Sequence, residues 1–216
     1  MSDNKLQRSV MDELTWDPKV DSNAIAVSAE EGVVTLRGTV GSLREKFEAK
    51  KDAQRVHGVK HVDNELHVQL MNDTVRANAD LRGDILHALT LNTFVPATID
   101  AHVDDGYVVL TGTANWQFQR EEAESVAASV PGVVSVTDEV RLEPPSPSAH
   151  DVQHSIKKAM ERNAKLDAES VSVQSENGTV ILRGTVSSWA DHDQAVDAAW
   201  AAPGVTRVQD HILVAY

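Results

Sequence analysis

One pattern in this chain occurs three times, and that repetition constrains the fold more than anything else. Gly32-Val33-Val34-Thr35-Leu36-Arg37-Gly38-Thr39-Val40 returns as Gly106-Tyr107-Val108-Val109-Leu110-Thr111-Gly112-Thr113-Ala114, and again as Gly178-Thr179-Val180-Ile181-Leu182-Arg183-Gly184-Thr185-Val186. The repeats are spaced 74 and then 72 residues apart, and Gly58, Gly132 and Gly204 keep the same two steps. Self-similarity at a fixed period marks one supersecondary unit written several times. It overrides the one or two domains that 216 residues alone would suggest. The expected division is residues 1–71, 72–143 and 151–216, with a proline-rich linker at 144–150.

Within each copy the apolar period changes in a fixed order. Leu6, Val10 and Leu14 recur every four residues, as do Leu81, Ile85 and Leu89, and Val152, Ile156 and Met160, which predicts an opening helix. Pro18 and Pro96 stand where the first two helices should stop, and Asp151 is placed to cap the third. Alternation at Ile25, Val27 and Ala29 then predicts a strand, and Glu31-Gly32, Asp105-Gly106 and Asn177-Gly178 are hairpin-turn residues. The repeated stretch is the return strand, with Val34 and Leu36 facing the core and Thr35, Arg37 and Thr39 facing water.

Gly38, Gly112 and Gly184 fall at core-facing positions, where a missing side chain points to another backbone in close approach, most simply the following helix. That helix carries the stripe Ala49, Ala53 and Val56, matched by Ala123, Ala127 and Val130 and by Ala195, Ala199 and Ala202. Alanine lets a helix lie near a sheet. The glycine after each stripe serves as a cap, and a last strand follows through Val59, Val62, Leu66 and Val68 and their counterparts. The predicted fold is α+β: three tandem αββαβ domains, each a three-stranded sheet covered on one face by two helices. The last strand should lie parallel to the second.

Composition narrows the function. The net charge is −13, distributed as about −2, −8 and −3 over the three copies, so general binding to nucleic acid is disfavoured. There is no cysteine, and therefore no disulfide or thiolate chemistry. No apolar run is long enough for a bilayer span and the opening residues hold no apolar signal core, so a cytoplasmic location is expected, peripheral at the inner membrane if a membrane is involved.

The order Gly-x-Val-x-Leu-x-Gly-x-Val, an Ala-x-x-x-Ala helix, then Gly-Val-x-x-Val resembles the BON domain, the bacterial module of osmotically inducible and nodulation proteins, also called the transport-associated domain. The resemblance covers nearly the whole chain. The family has an asparagine two residues after the last valine; Asn64 fits, while Asp138 and Asp210 depart from it. The resemblance implies an αββαβ fold, no enzymatic activity, an osmotic or envelope stress context, and binding to phospholipid or membrane surfaces.

Two clusters are candidate contact sites. Arg44, Lys46, Lys50, Lys51 and Arg55 on the second helix of copy one form a candidate surface for anionic lipid or an acidic partner. Glu45, Glu48 and Asp52 are interleaved with them and should cancel much of the attraction, which leaves an ordinary solvated helix face as the competing reading. Trp116, Phe118 and Trp189 lead into the later copies' second helices, either as a wedge for headgroups or as packing between copies.

The nine histidines, among them His57, His61, His67, His150 and His154, do not show the spacing of a metal site. No phosphate loop, nucleophile elbow or zinc-protease motif is present. No catalytic residue, cofactor or metal is expected. The partners that remain are a phospholipid surface, another protein or a second copy of the chain; the alternative to lipid is a protein–protein scaffold.

Overall fold

The computed structural model describes residues 2–69, 76–144, 152–162 and 170–215. The join at Met71-Asn72-Asp73-Thr74, residues 145–150 of the expected linker and the expected cap Asp151 lie outside the described residues.

The first copy runs α1 (Asp3–Trp16), β1 (Ile25–Glu30), β2 (Val33–Val40), α2 (Leu43–Arg55) and β3 (His61–Val68). The second runs α3 (Asn78–Leu91), β4 (Asp100–Asp104), β5 (Tyr107–Thr111), β6 (Thr113–Ala114), α4 (Gln117–Ala128), β7 (Ser135–Asp138) and β8 (Arg141–Leu142). The third runs α5 (Val152–Glu161), β9 (Val171–Glu176), β10 (Thr179–Val186), α6 (Trp189–Trp200) and β11 (Arg207–Val214). Each copy builds one three-stranded sheet, ordered β1-β2-β3, β4-β5-β7 and β9-β10-β11, and β6 pairs with β8 separately. The first pair in each sheet is antiparallel, and the last strand is parallel to the central one. The αββαβ order read from the sequence is the one observed.

The alternation that predicted the strands sets their faces. Val34 and Leu36 are fully buried, as are Leu6, Val10 and Leu14 of α1 and the alanines Ala49 and Ala53 of α2, and they form one core. Ala123 and Ala127, and Ala195 and Ala199, are equally buried in the other copies. The β1–β2 hairpin closes on Glu31 and Gly32, both at positive φ (51° and 89°), the two-residue turn whose twist matches the strands. Asp105-Gly106 and Asn177-Gly178 repeat it.

The close approach at Gly38 has a different source from the one expected. A Cβ added there would lie 2.0 Å from the carbonyl oxygen of Ala24, and at Gly112 and Gly184 it would lie 2.2 Å from Thr98 O and 2.0 Å from Ser170 O. The crowding backbone is thus the residue that enters the first strand, not the second helix. Ile25 stands opposite Gly38 in the ladder, so the chain coming from α1 crosses directly over the glycine.

The chain forms two compact units: one holds the first copy and most of the second, the other holds Ala114–Phe118 together with the third copy.

Candidate functional site

α2 of the first copy begins at a capped end. Ser42 Oγ accepts from the backbone N–H of Glu45 at 3.1 Å, and Glu45 turns back to accept from Gly41 N and Asp21 N, both at 2.8 Å. Glu45 is therefore spent on the helix start. The other two interleaved acids also face inward: Glu48 is 8% exposed and Asp52 is 0% exposed. The expected cancellation therefore reaches Arg55 and Arg44, which Asp52 and Glu48 meet from the inner side, and not Lys50 or Lys51. At 3.6 residues per turn, Arg44, Lys50, Lys51 and Arg55 share the solvent-facing arc, and all four are exposed. Lys46 is half-buried at its margin. Phe47 sits half-buried within the arc, and sequence reasoning missed it because it lies outside the repeated apolar stripe.

The cations differ in how they are held. Arg55 Nη1 donates to Asp52 Oδ1 at 2.7 Å. Arg44 is 4.0 Å from Glu48 and donates to Ser129 Oγ of the second copy at 3.0 Å. Among the described residues no ion pair engages Lys46, Lys50 or Lys51. The arc belongs to the first copy alone. At the positions of Arg44, Lys50, Lys51 and Arg55 the second copy has Phe118, Glu124, Ser125 and Ser129, and the third has Ala190, Val196, Asp197 and Ala201.

Beneath the arc lies an acidic group. Asp52 accepts one bond from Arg55, and its Oδ2 is buried with no hydrogen-bond partner. Lys19 bridges Asp17 at 3.8 Å and Glu48 at 3.4 Å. Burial, then the charge of Asp17, with smaller contributions from Glu13 and Glu48, pushes the Asp52 carboxyl up to about 6 against the pull of Arg55.

A second polar feature recurs in every copy. Asn64, Asp138 and Asp210 occupy one register of the last strand, half-buried in the first two copies, where an unpaired polar group would be costly, and exposed in the third. Each is paired in the same two directions. Asn64 donates to Lys46 O at 2.8 Å and accepts from Leu66 N at 3.3 Å. Asp138 accepts from Arg120 Nε and from Val140 N, both at 2.8 Å. Asp210 meets His192 Nε2 at 2.7 Å and accepts from Ile212 N at 2.9 Å. Lys46, Arg120 and His192 are equivalent positions. Where aspartate replaces asparagine, the helix residue bonds through its side chain, Arg120 or His192, and not through its carbonyl, and the strand-to-helix tie survives. His192 also meets Asp193 at 3.0 Å; these carboxylates hold the imidazole pKa above its usual value against the effect of burial.

The aromatic candidates separate. Trp189 opens α6, packs against the third copy's own core, and makes an edge contact with His192 at 4.8 Å. Trp116 is half-buried just before α4, and Phe118, in its first turn, is 50% exposed. Trp16 and Leu91, which end the first helices of copies one and two, are 84% and 70% exposed.

A hollow of about 410 Å³ on the first copy is walled by Glu30, Glu31, Asp63, Ser28 and Thr35, without a paired nucleophile and base. Among the described residues no three His, Asp or Glu side chains converge as metal ligands, and no helix is long and apolar enough to cross a membrane.

Comparison with known proteins agrees with this geometry. The chain is 33% identical over 146 residues to osmotically-inducible protein Y of Escherichia coli (strain K12), a match that covers 65% of this chain and 73% of that protein. Among solved structures, CdsD, a structural protein of the type III secretion system of Chlamydia trachomatis, aligns over 98% of this chain and 92% of its own at 16% identity and a TM-score of 0.27. The PrgH periplasmic domain aligns over 95% and 100% at 14% identity and a TM-score of 0.25. Neither likeness is close enough to bear on function. The profile of the BON domain matches residues 2–69, 77–144 and 148–216, nearly the whole of a chain that carries the αββαβ unit three times, and the protein belongs to the BON domain family.

Proposed function

We propose that this chain is a non-enzymatic interaction protein of the osmotic stress response, and that its first copy docks on anionic phospholipid through the outer arc of α2. The stress setting rests on the likeness to osmotically-inducible protein Y. The docking surface rests on one observation: Arg44, Lys50, Lys51 and Arg55 face solvent together while Glu45, Glu48 and Asp52 turn inward. Each cation near an anionic leaflet contributes about 1 kcal/mol. With Arg55 paired to Asp52, the other three give a dissociation constant of several millimolar, about 5–10 mM, so attachment is reversible and weakens with salt. The half-buried Phe47 offers an apolar contact between the cations.

Co-sedimentation of the full chain with anionic and neutral vesicles tests the reading. Binding to anionic vesicles only, reduced by salt and by the pair Lys50→Glu and Lys51→Glu, is expected. Failure to bind either vesicle would replace it with a protein–protein scaffold.

A further inference from the structure

The first copy buries a carboxylate that its fold does not need. At the position of Asp52 the second and third copies have Val126 and Ala198, in the same helix over the same kind of sheet. Asp52 is 0% exposed, and only one of its two oxygens has a partner. An ionised carboxylate in that position is incompletely compensated. The charges facing it are Glu13 from α1, Asp17 and Lys19 from the turn that follows, and Glu48 and Arg55 from α2 itself, with Arg44 reaching Glu48 from the outside. Three acids face it, and of the cations only Arg55 bonds to it directly.

We propose that Asp52 is a proton switch for the cationic arc: ionised, it pairs with Arg55 and offsets its charge, and protonated, it leaves the Arg55 charge uncompensated on the outer face. The step is a plain proton binding. One proton moves from solvent to the unpartnered Oδ2, the carboxylate loses its charge, and the ion pair with Arg55 Nη1 becomes a weaker bond from a cation to a neutral carboxyl. The face gains one net positive charge. Burial and the neighbouring acids place this change at about pH 6, so mild acid strengthens the surface. The inference takes its partner from the phospholipid reading, but its chemistry stands on the Asp52 niche alone.

Nuclear magnetic resonance of the full chain tests the switch without any partner. The side-chain carboxyl of Asp52 should titrate near pH 6, with the Arg55 Nε–H resonance following the same curve. A midpoint in the usual range near pH 4, or an Arg55 signal that does not follow it, overturns the proposal. Vesicle binding tests the consequence. Asp52→Asn, a permanently neutral near-isostere, should bind anionic vesicles about fivefold more tightly than the parent at pH 7.5, one extra cation's worth, and equally at pH 5. Asp52→Val, which installs the second copy's own residue, should behave the same way and guards against a folding defect. Equal binding of parent and variants at pH 7.5 would refute the coupling. Absence of binding at either pH would remove the phospholipid reading, and the Arg55 resonance would then decide the switch by itself.

Discussion

The same chemical change at two glycines should have opposite effects. Gly38→Ala would place a methyl carbon 2.0 Å from Ala24 O and 3.3 Å from Ile25 Cα, at φ +129°. Both obstacles are backbone, held by the β1–β2 ladder, so relief requires a shift of about 1 Å in one strand or its entry. Overpacking of that kind costs about 1–3 kcal/mol, and a side chain at positive φ adds about 1–2 kcal/mol. The sum, about 2–5 kcal/mol, compares with a total of about 3–10 kcal/mol for a domain of this length. Gly83→Ala is the control: it lies inside α3 with nothing within 4 Å of the added Cβ, and should stabilise the second copy by about 0.5–1 kcal/mol.

Native-state hydrogen exchange of the full chain, read copy by copy, separates the two outcomes. Gly38→Ala should reduce protection of β1 and β2 amides by about 30-fold or more and leave β9 and β10 unchanged. If Gly38→Ala stays within about 1 kcal/mol of the parent, the crossing of Ala24 over Gly38 is not what fixes the residue there.

Asp52, with its carboxyl raised from 3.8 to about 6, binds a proton more tightly folded than unfolded, so the first copy should lose stability as pH rises from about 4 to 6 and level off above. The ceiling is about 3 kcal/mol; denaturant titrations of Asp52→Val should show no such slope. His192 has the reverse chemistry and the same sign. With its folded pKa raised, chiefly by Asp193 and then by Asp210, its contribution is complete below about 6.5 and disappears as pH rises through the raised value, so the pair Asp193→Asn and Asp210→Asn should abolish that loss of third-copy protection and Asp210→Asn alone should reduce it. Asn64→Asp should destabilise the first copy by about 1–3 kcal/mol, since the new carboxylate would face Lys46 O. Adding Lys46→Arg, which rebuilds the Arg120–Asp138 pair of the second copy, should recover part of it in a double-mutant cycle.

The backbone plan was legible because it depends on period alone. Leu6, Val10 and Leu14, the alternation through Val34 and Leu36, and the Ala49–Ala53 stripe each specify an element and its buried face, and three independent copies make the reading redundant. What crowds Gly38 was not legible, because its neighbour Ala24 lies fourteen residues earlier and meets it only through the strand register. The inward turn of Glu45, Glu48 and Asp52 was missed for a related reason. Charge counted along a helix gives a sum, whereas the sign presented to a partner depends on which side chains the cap and the core take out of the outer face.

The repeat also shows how to separate fold from function in a chain of this kind. Where the copies agree, at the glycines and alanines, the residue is explained by packing, which all three must satisfy. Where they differ but the contact persists, as at Asn64, Asp138 and Asp210, the pairing is structural and only its chemistry has drifted. Where one copy carries a costly group that the other two fold without, packing is no longer a sufficient reason. Asp52 and the exposed arc of Arg44, Lys50, Lys51 and Arg55 meet that condition together, on the same helix of the same copy, next to Val126 and Ala198 at one position and uncharged or acidic side chains at the others. A buried ionisable group beneath a one-signed surface is an arrangement in which proton binding changes what the surface can hold.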